Sequence, residues 1–342
     1  MLGGIAFAAI WSTTRTFLPK SDINPSIPLV NAIGVRPAAN AGPAQDTPAA
    51  KVGAIPVLSW HQIDNGCAPT AAQCTNPGTQ ADSVSQKQFY DQLNWLSTRG
   101  YHSITADQYV KWATGQQVML PSKPVLLTVD DGIVNFYAGG TPVLQHFGYT
   151  MVSMVVSGFA QGAQDGAKDN VGWDATWTQL TNLPARTWEF AFHAGPQGHV
   201  ISTNPKYKDC AYFYPCQRPG EPTAAYHARV TGDINTGLAA ENDHLGDRFD
   251  DQMWAVPFND LGQDPSQPTS GTANANWAAQ MADKKFKVVF VDAQTTTENQ
   301  HYRYEVHGKD TLGYFAQQVQ RSDLFVRNPE AATANAPAGG VG

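Results

Sequence analysis

Apolar residues along the chain come in short runs, and the spacing within those runs switches between two periods. Ile55–Ser59 is a nearly continuous apolar run of strand length. From Ser85 to Arg99 the pattern changes: Phe89, Leu93 and Leu96 recur at intervals that predict an amphipathic helix. A short strand over Tyr101–Thr105 and a helix over Ala106–Ala113 follow, then a strand over Val125–Val129, a helical segment over Thr141–Phe147 and a strand over Thr150–Val156. Trp188–His193 and Lys285–Val291 read as later strands. Short strands alternating with helices build βα units with largely parallel pairing. In barrels of such units, polar residues at the C-terminal ends of the strands collect on one face.

Two strand ends carry residues able to do chemistry. The run KPVLLTVDDG places Asp130 and Asp131 where a buried strand stops, beside Gly132, which lets the chain turn. An Asp-Asp-Gly sequence is also what a solvated turn looks like. The sharper reading uses the fact that neighbouring residues on extended chain point apart, so one carboxylate holds a metal while the other accepts a proton. Histidines are then required elsewhere, and WEFAFHAGPQGH supplies them: His193 leaves the tip of an apolar run, and Gly195, Pro196 and Gly198 bend the chain back toward His199. One carboxylate oxygen and two imidazole nitrogens form a ligand set suited to zinc and usable by cobalt, nickel or iron.

With these segments in view, the chain resembles the polysaccharide deacetylase superfamily (NodB-like, carbohydrate esterase family 4), in particular the branch acting on bacterial poly-N-acetylglucosamine. The resemblance runs from IPVLSWH ending at His61, through Phe89–Leu96 and the Gly100-Tyr-His segment, to TVDDG, then over Pro142–Leu144, the His193/His199 segment and Trp254–Phe258, fading near Leu324. It implies a distorted (β/α)7 barrel, a smaller relative of the eight-stranded form, with Asp130 as catalytic base and Asp131, His193 and His199 as ligands of one divalent ion. The histidines here are six apart, where the family usually spaces them by four or five. The implied reaction is removal of N-acetyl groups from an N-acetylglucosamine-containing cell-surface or exopolysaccharide, with release of acetate. His307 and His61 are the candidate proton donors, with His244 a further rival and Asp130 itself able to return the proton. An O-acetyl esterase built on the same core, and a catalytically silent glycan-binding domain, are the alternatives.

Composition then narrows the partners. A net charge of −7 without a basic cluster argues against nucleic acid, and 42% apolar against 15% charged residues allows a large core. An acetylated glycan fits this balance better. Leu2–Trp11 is an apolar stretch too short for an ordinary transmembrane helix of roughly 20 residues and only an incomplete match to a signal peptide. It reads as the stub of a secretion signal, a truncated anchor or a mobile start; a location outside the cell or in the envelope is what the resemblance and its glycan substrate imply. Residues 36–54 are rich in proline, alanine and glycine, as is the stretch from Pro329 onward, so the expected division is a tether over 1–54, a catalytic unit over 55–327 and a tail over 328–342.

Four cysteines stand in two close pairs, Cys67 with Cys74 and Cys210 with Cys216. Two local disulfides are expected, the second stapling an inserted loop region between Thr203 and Gly246; a four-cysteine zinc site is the rival. Tyr212, Phe213 and Tyr214 in that insertion read equally as loop anchors or as a substrate wall. A helix from about Ala224 sets Arg229 and Asp233 four apart as a candidate ion pair. Pro257 is expected to take the Trp254–Asp260 segment out of the sheet, and Asp292 is read as a local anchor.

Overall fold

The computed structural model describes residues 46–64, 82–168, 170–200, 213–259, 261, 273–291 and 299–326. Seven parallel strand positions form the frame. They are β2 (Val57–Trp60), β7 (Pro124–Val129), β8 (Met151–Val156), β9 (Trp188–Ala194), β10 (Phe249–Ala255), β11 (Val288–Val291) and the segment holding β12 (Gln300–Tyr302) and β13 (Tyr304–Glu305). β12 pairs with β11 and β13 with β2, and only Arg303 separates the two. One extended segment therefore brings the ring round on itself, and the architecture is the distorted, nearly closed (β/α)7 barrel expected from the sequence.

Period-two alternation sorts the side chains of this ring into two layers. Val57, Leu126, Met154, Ala191, Met253, Val288 and Phe290 point into the lumen, which α2 (Ala106–Ala113) plugs from one end with Tyr109 and Trp112. The opposite set on β2, β7 and β9, including Leu58, Trp60, Leu127, Val129 and Phe190, packs under α1 (Gln86–Thr98), α3 (Val134–Phe147) and α8 (Leu312–Val319). A third cluster joins Phe192, Trp254 and Val289 to α6 (Thr223–Leu245) and α7 (Ala273–Lys285). Burying each large apolar side chain in these layers contributes about 1.5–3 kcal/mol.

Helix starts follow local chemistry. The Ser85 hydroxyl accepts the Gln88 N–H at 3.1 Å to begin α1, and Thr105 with Gln108 makes a reciprocal capping box at the start of α2. The helical segment expected over Thr141–Phe147 starts earlier, at Val134, and carries Pro142 in its interior. β10 ends at Ala255, two residues before Pro257, so the chain leaves the sheet where proline would interrupt a ladder. Asp46–Lys51, within the stretch read as a tether, pair with β6 (Met119–Pro121) and turn against the barrel.

The expected disulfide staples do not join two described residues: Cys216 is the one described cysteine, and it is disulfide-bonded. Cys67, Cys74 and Cys210 lie outside the described residues, as do Leu2–Trp11, Tyr212 and Asp292. Buried hydrogen bonds hold the described part of the insertion. Arg229 donates to the carbonyls of Phe213 and Cys216 at 3.2 and 2.8 Å and pairs with Glu221 rather than with Asp233. Phe213 and Tyr214 are buried beneath α6, which makes them anchors and not a sugar-facing wall. No helix among the described residues is long and apolar enough to cross a membrane.

Candidate metal centre and its flanking acid–base groups

The centre begins with the alternation along β7. Thr128 and Asp130 share the lumen-facing side while Val129 packs outward, so Asp130 enters the barrel mouth, 1% exposed. The next two residues turn in the left-handed region, Asp131 at φ 72° and Gly132 at φ 80°. A non-glycine residue there costs roughly 1–2 kcal/mol. The turn aims two successive carboxylates at different partners.

Asp131 meets the histidines. His193, at the lumen-facing end of β9, lies with Nε2 3.4 Å from Asp131 Oδ1, and His199 Nε2 is 3.0 Å from the same oxygen. His193 Nδ1 lies 2.6 Å from the Ala255 carbonyl, which only accepts, so Nδ1 carries a proton and Nε2 is the ring atom turned toward the carboxylate. Asp131 Oδ1 is buried without a hydrogen-bond partner. One carboxylate oxygen and two imidazole nitrogens thus converge as a donor set for a cation, and the three candidate ligand atoms lie within 4.8 Å of one another. The residues therefore fit one divalent ion. Burial opposes the charge on Asp131, but His199 and His193 outweigh it and hold the carboxyl well below its ordinary range.

The six-residue histidine spacing closes because the loop lies flat on α6. A Cβ at Gly195 would stand 2.1 Å from the Asp233 carbonyl oxygen, and one at Gly198 would stand 1.9 Å from the Tyr214 hydroxyl. Asp233 accepts the Gln197 N–H at 2.7 Å and the Tyr214 hydroxyl at 2.9 Å, fixing the loop from below. Phe258 packs over His199 with ring centroids 4.6 Å apart.

Asp130 faces the other way. Arg303, at the junction of β12 and β13 and 1% exposed, grips both its oxygens in a bidentate pair, with one bond of 2.7 Å. Arg303 also donates to Asn259 Oδ1 at 3.2 Å. Burial pushes the Asp130 carboxyl upward, yet Arg303 and His193 hold it below the ordinary value, so it is ionised near neutrality. His61 Nε2 stands 3.7 Å from Asp130 Oδ2, and its Nδ1 3.5 Å from Glu305 Oε1. Burial disfavours charge on His61, but Asp130, Asp131 and Glu305 raise its pKa above 6.5. Asp131, Phe258 and Asn259 are the non-glycine residues with left-handed backbone among the described residues, and all three border this centre.

No family model matches the chain. Among curated proteins it is similar to the poly-beta-1,6-N-acetyl-D-glucosamine N-deacetylase of Escherichia coli (strain K12), at 29% identity over 189 residues covering 51% of this chain and 26% of that protein. Among solved structures, IcaB from Ammonifex degensii aligns with a TM-score of 0.55 at 20% identity, over 79% of this chain and 98% of that one. A de-N-acetylase from Aggregatibacter actinomycetemcomitans aligns with a TM-score of 0.57 at 19% identity, over 77% of this chain and 99% of that one. The chain shares the fold of these two solved structures. It spans about a quarter of the length of the curated deacetylase it matches.

Within this barrel the sequence-derived candidates separate into three places. Asp130, Asp131, His193, His199 and His61 converge at the barrel mouth. His307 lies at the rim, with Nδ1 3.3 Å from Asp82 Oδ1, and His244, exposed in the last turn of α6, stacks on Trp177. Arg303 has the largest role that sequence reasoning left unassigned. The alternation in Gln300–Glu305 held the signal: Arg303 shares the inward side with His301 and Glu305, and an arginine inside a barrel requires a carboxylate.

Proposed function

We propose that the protein is a metal-dependent carbohydrate N-deacetylase that hydrolyses the acetamide of N-acetylglucosamine residues in a cell-surface or exopolysaccharide. The observation that carries this reading is the division of labour between adjacent carboxylates: Asp131 lies against the Nε2 atoms of His193 and His199, while Asp130 is kept ionised by Arg303 beside it. In this reading Asp131, His193 and His199 hold one divalent ion, with zinc favoured by the mixed nitrogen and oxygen donors. The bound ion supplies Lewis acidity at the acetamide oxygen and acidifies a water.

Asp130 accepts a proton from the attacking water, and Arg303 fixes the carboxylate so that it presents a constant edge. The carbon–nitrogen bond breaks to give acetate and the sugar amine. His61 donates the proton that the departing nitrogen needs; its position beside Asp130 favours it over His307, which is engaged with Asp82. A location outside the cell or in the envelope fits the glycan substrate, and the catalytic unit takes in Asp46–Lys51, which pack against the barrel ahead of residue 55.

Acetate release tests the proposal. Chelated protein should be inactive on N-acetylglucosamine oligomers, and zinc or cobalt should restore turnover. Release from O-acetylated glycans but not from the amides would assign the centre to ester hydrolysis; oligosaccharide binding without release of acetate from either would leave only a glycan-binding module.

A further inference from the structure

The segment Gln300–Glu305 has two sides, and the reaction centre uses one. Arg303 and Glu305 face inward, toward Asp130 and His61. Tyr302 and Tyr304 alternate outward, where a groove of about 610 Å³ lies between this segment and α8. Tyr302, Glu305, His307, Lys309, Tyr314 and Gln318 are among its walls. We infer that this groove is a subsite for glycan residues flanking the sugar that is deacetylated, an inference that rests on the deacetylase reading above.

Three observations support that occupant. The first is continuity. Glu305 lines the groove while its Oε1 stands 3.5 Å from His61 Nδ1, so a chain with one residue at Asp130 and His61 passes the groove's rim as it leaves. The second is chemistry. A pyranose presents an apolar C–H face and a perimeter of hydroxyls, and the groove offers tyrosine rings together with carboxylate, imidazole, ammonium and amide groups. Its volume falls in the roughly 300–1,000 Å³ range of small-molecule sites. Tyr314 is 46% exposed on α8, its ring edge-on to Tyr304 with centroids 6.3 Å apart and its remaining surface open to the groove.

The third is rigidity. The Tyr304 hydroxyl donates to Asp310 Oδ2 at 2.6 Å, and the same oxygen accepts the His307 N–H at 2.9 Å. The Thr311 hydroxyl then accepts the Tyr314 N–H at 3.1 Å to start α8. One wall is thus braced before any ligand arrives, which lowers the ordering cost of binding.

The test compares the full chain with its Tyr314→Ala and Gln318→Ala variants, neither of which alters a residue of the reaction centre. Substrates are pentamers of N-acetylglucosamine, β-1,6- and β-1,4-linked, and a monosaccharide N-acetylglucosamine glycoside too short to reach the groove. The subsite requires Tyr314→Ala to lower kcat/KM on a pentamer by about 5- to 10-fold, the scale of one lost aromatic contact, with the monosaccharide rate unchanged. Equal losses on both substrates, or no loss on either, would overturn it. Should the wild type release no acetate from any of them, the deacetylase reading fails on its own. Calorimetric titration with the pentamers then decides the groove: weaker binding by Tyr314→Ala upholds it, and equal or absent binding rejects it.

Discussion

Asp130 at the barrel mouth and Glu241 in the seam between α6 and the barrel are both cut off from solvent, at 1% and 0% exposure. They differ in company. Asp130 has both oxygens in the grip of Arg303 and is held below its ordinary pKa. Glu241 has no hydrogen-bond partner for either oxygen among the described residues, and burial pushes its carboxyl well above the ordinary range. One site supplies a guanidinium to keep a carboxylate charged. The other leaves a carboxyl to neutralise itself by binding a proton. A charge maintained at the cost of burying a second charge is the mark of a group whose ionised form is used.

The largest effect expected from breaking this contrast comes from Arg303→Met. Removing one partner of a buried ion pair costs about 3–5 kcal/mol, because the remaining carboxylate is left uncompensated. Denaturant unfolding should show that loss, together with weakened activity. Stability near that of the wild type would mean the pair is dispensable and Asp130 is no more constrained than Glu241.

A second change sharpens the account of the mouth without touching a charge. Gly198→Ala places a Cβ against the Tyr214 hydroxyl, where it has no room, and His199 is the next residue. The loop must lift, and metal affinity measured by competition with a chelator should fall by about 10-fold or more, the scale of lost supporting contacts around a ligand. Gly232→Ala, where nothing lies within 4 Å, is the matched control and should leave affinity unchanged.

The smallest effect belongs to Glu241. Burial raises the folded carboxyl's pKa well above the unfolded value of about 4.3, so the folded form holds its proton to higher pH than the unfolded chain does. The unfolded chain is therefore favoured progressively as pH rises toward the raised folded pKa. Glu241→Met removes this slope and should stabilise the protein by about 1–3 kcal/mol near neutral pH, with the advantage shrinking below pH 4. Melting temperatures across that range would show the two curves converging on the acid side; parallel curves would contradict the assignment.

Much of the mouth was legible in the sequence because strand alternation and turn residues are local. The end of the Val125–Val129 run fixes where Asp130 and Asp131 stand, and two glycines and a proline between His193 and His199 announce a returning loop. Arg303 was harder to assign, since its partner is 173 residues away and the pairing depends on how the ring closes. Arg229 illustrates the opposite error: spacing suggested Asp233, but Glu221 and two carbonyls outcompete it once the insertion folds beneath α6. Tyr214 and Asp233 join for the same reason, because burial demands a partner for each and only tertiary packing supplies it. Glu241 gave no signal at all, as one acid alongside Asp233 and Asp243 on a long helix reads as solvated.

The central claim is that adjacent carboxylates do different work, and paired substitutions test it most directly. Asp130→Asn keeps size and hydrogen-bonding capacity but cannot accept a proton near neutral pH, whereas Asp131→Asn replaces an anionic oxygen donor with a neutral amide. Metal occupancy, folding and acetate release from an N-acetylglucosamine pentamer are measured for both under saturating zinc. The expected result is that Asp130→Asn stays folded and metal-loaded while turnover falls roughly 100-fold or more, and that Asp131→Asn loses metal affinity. Near-normal turnover by metal-loaded Asp130→Asn would contradict the account.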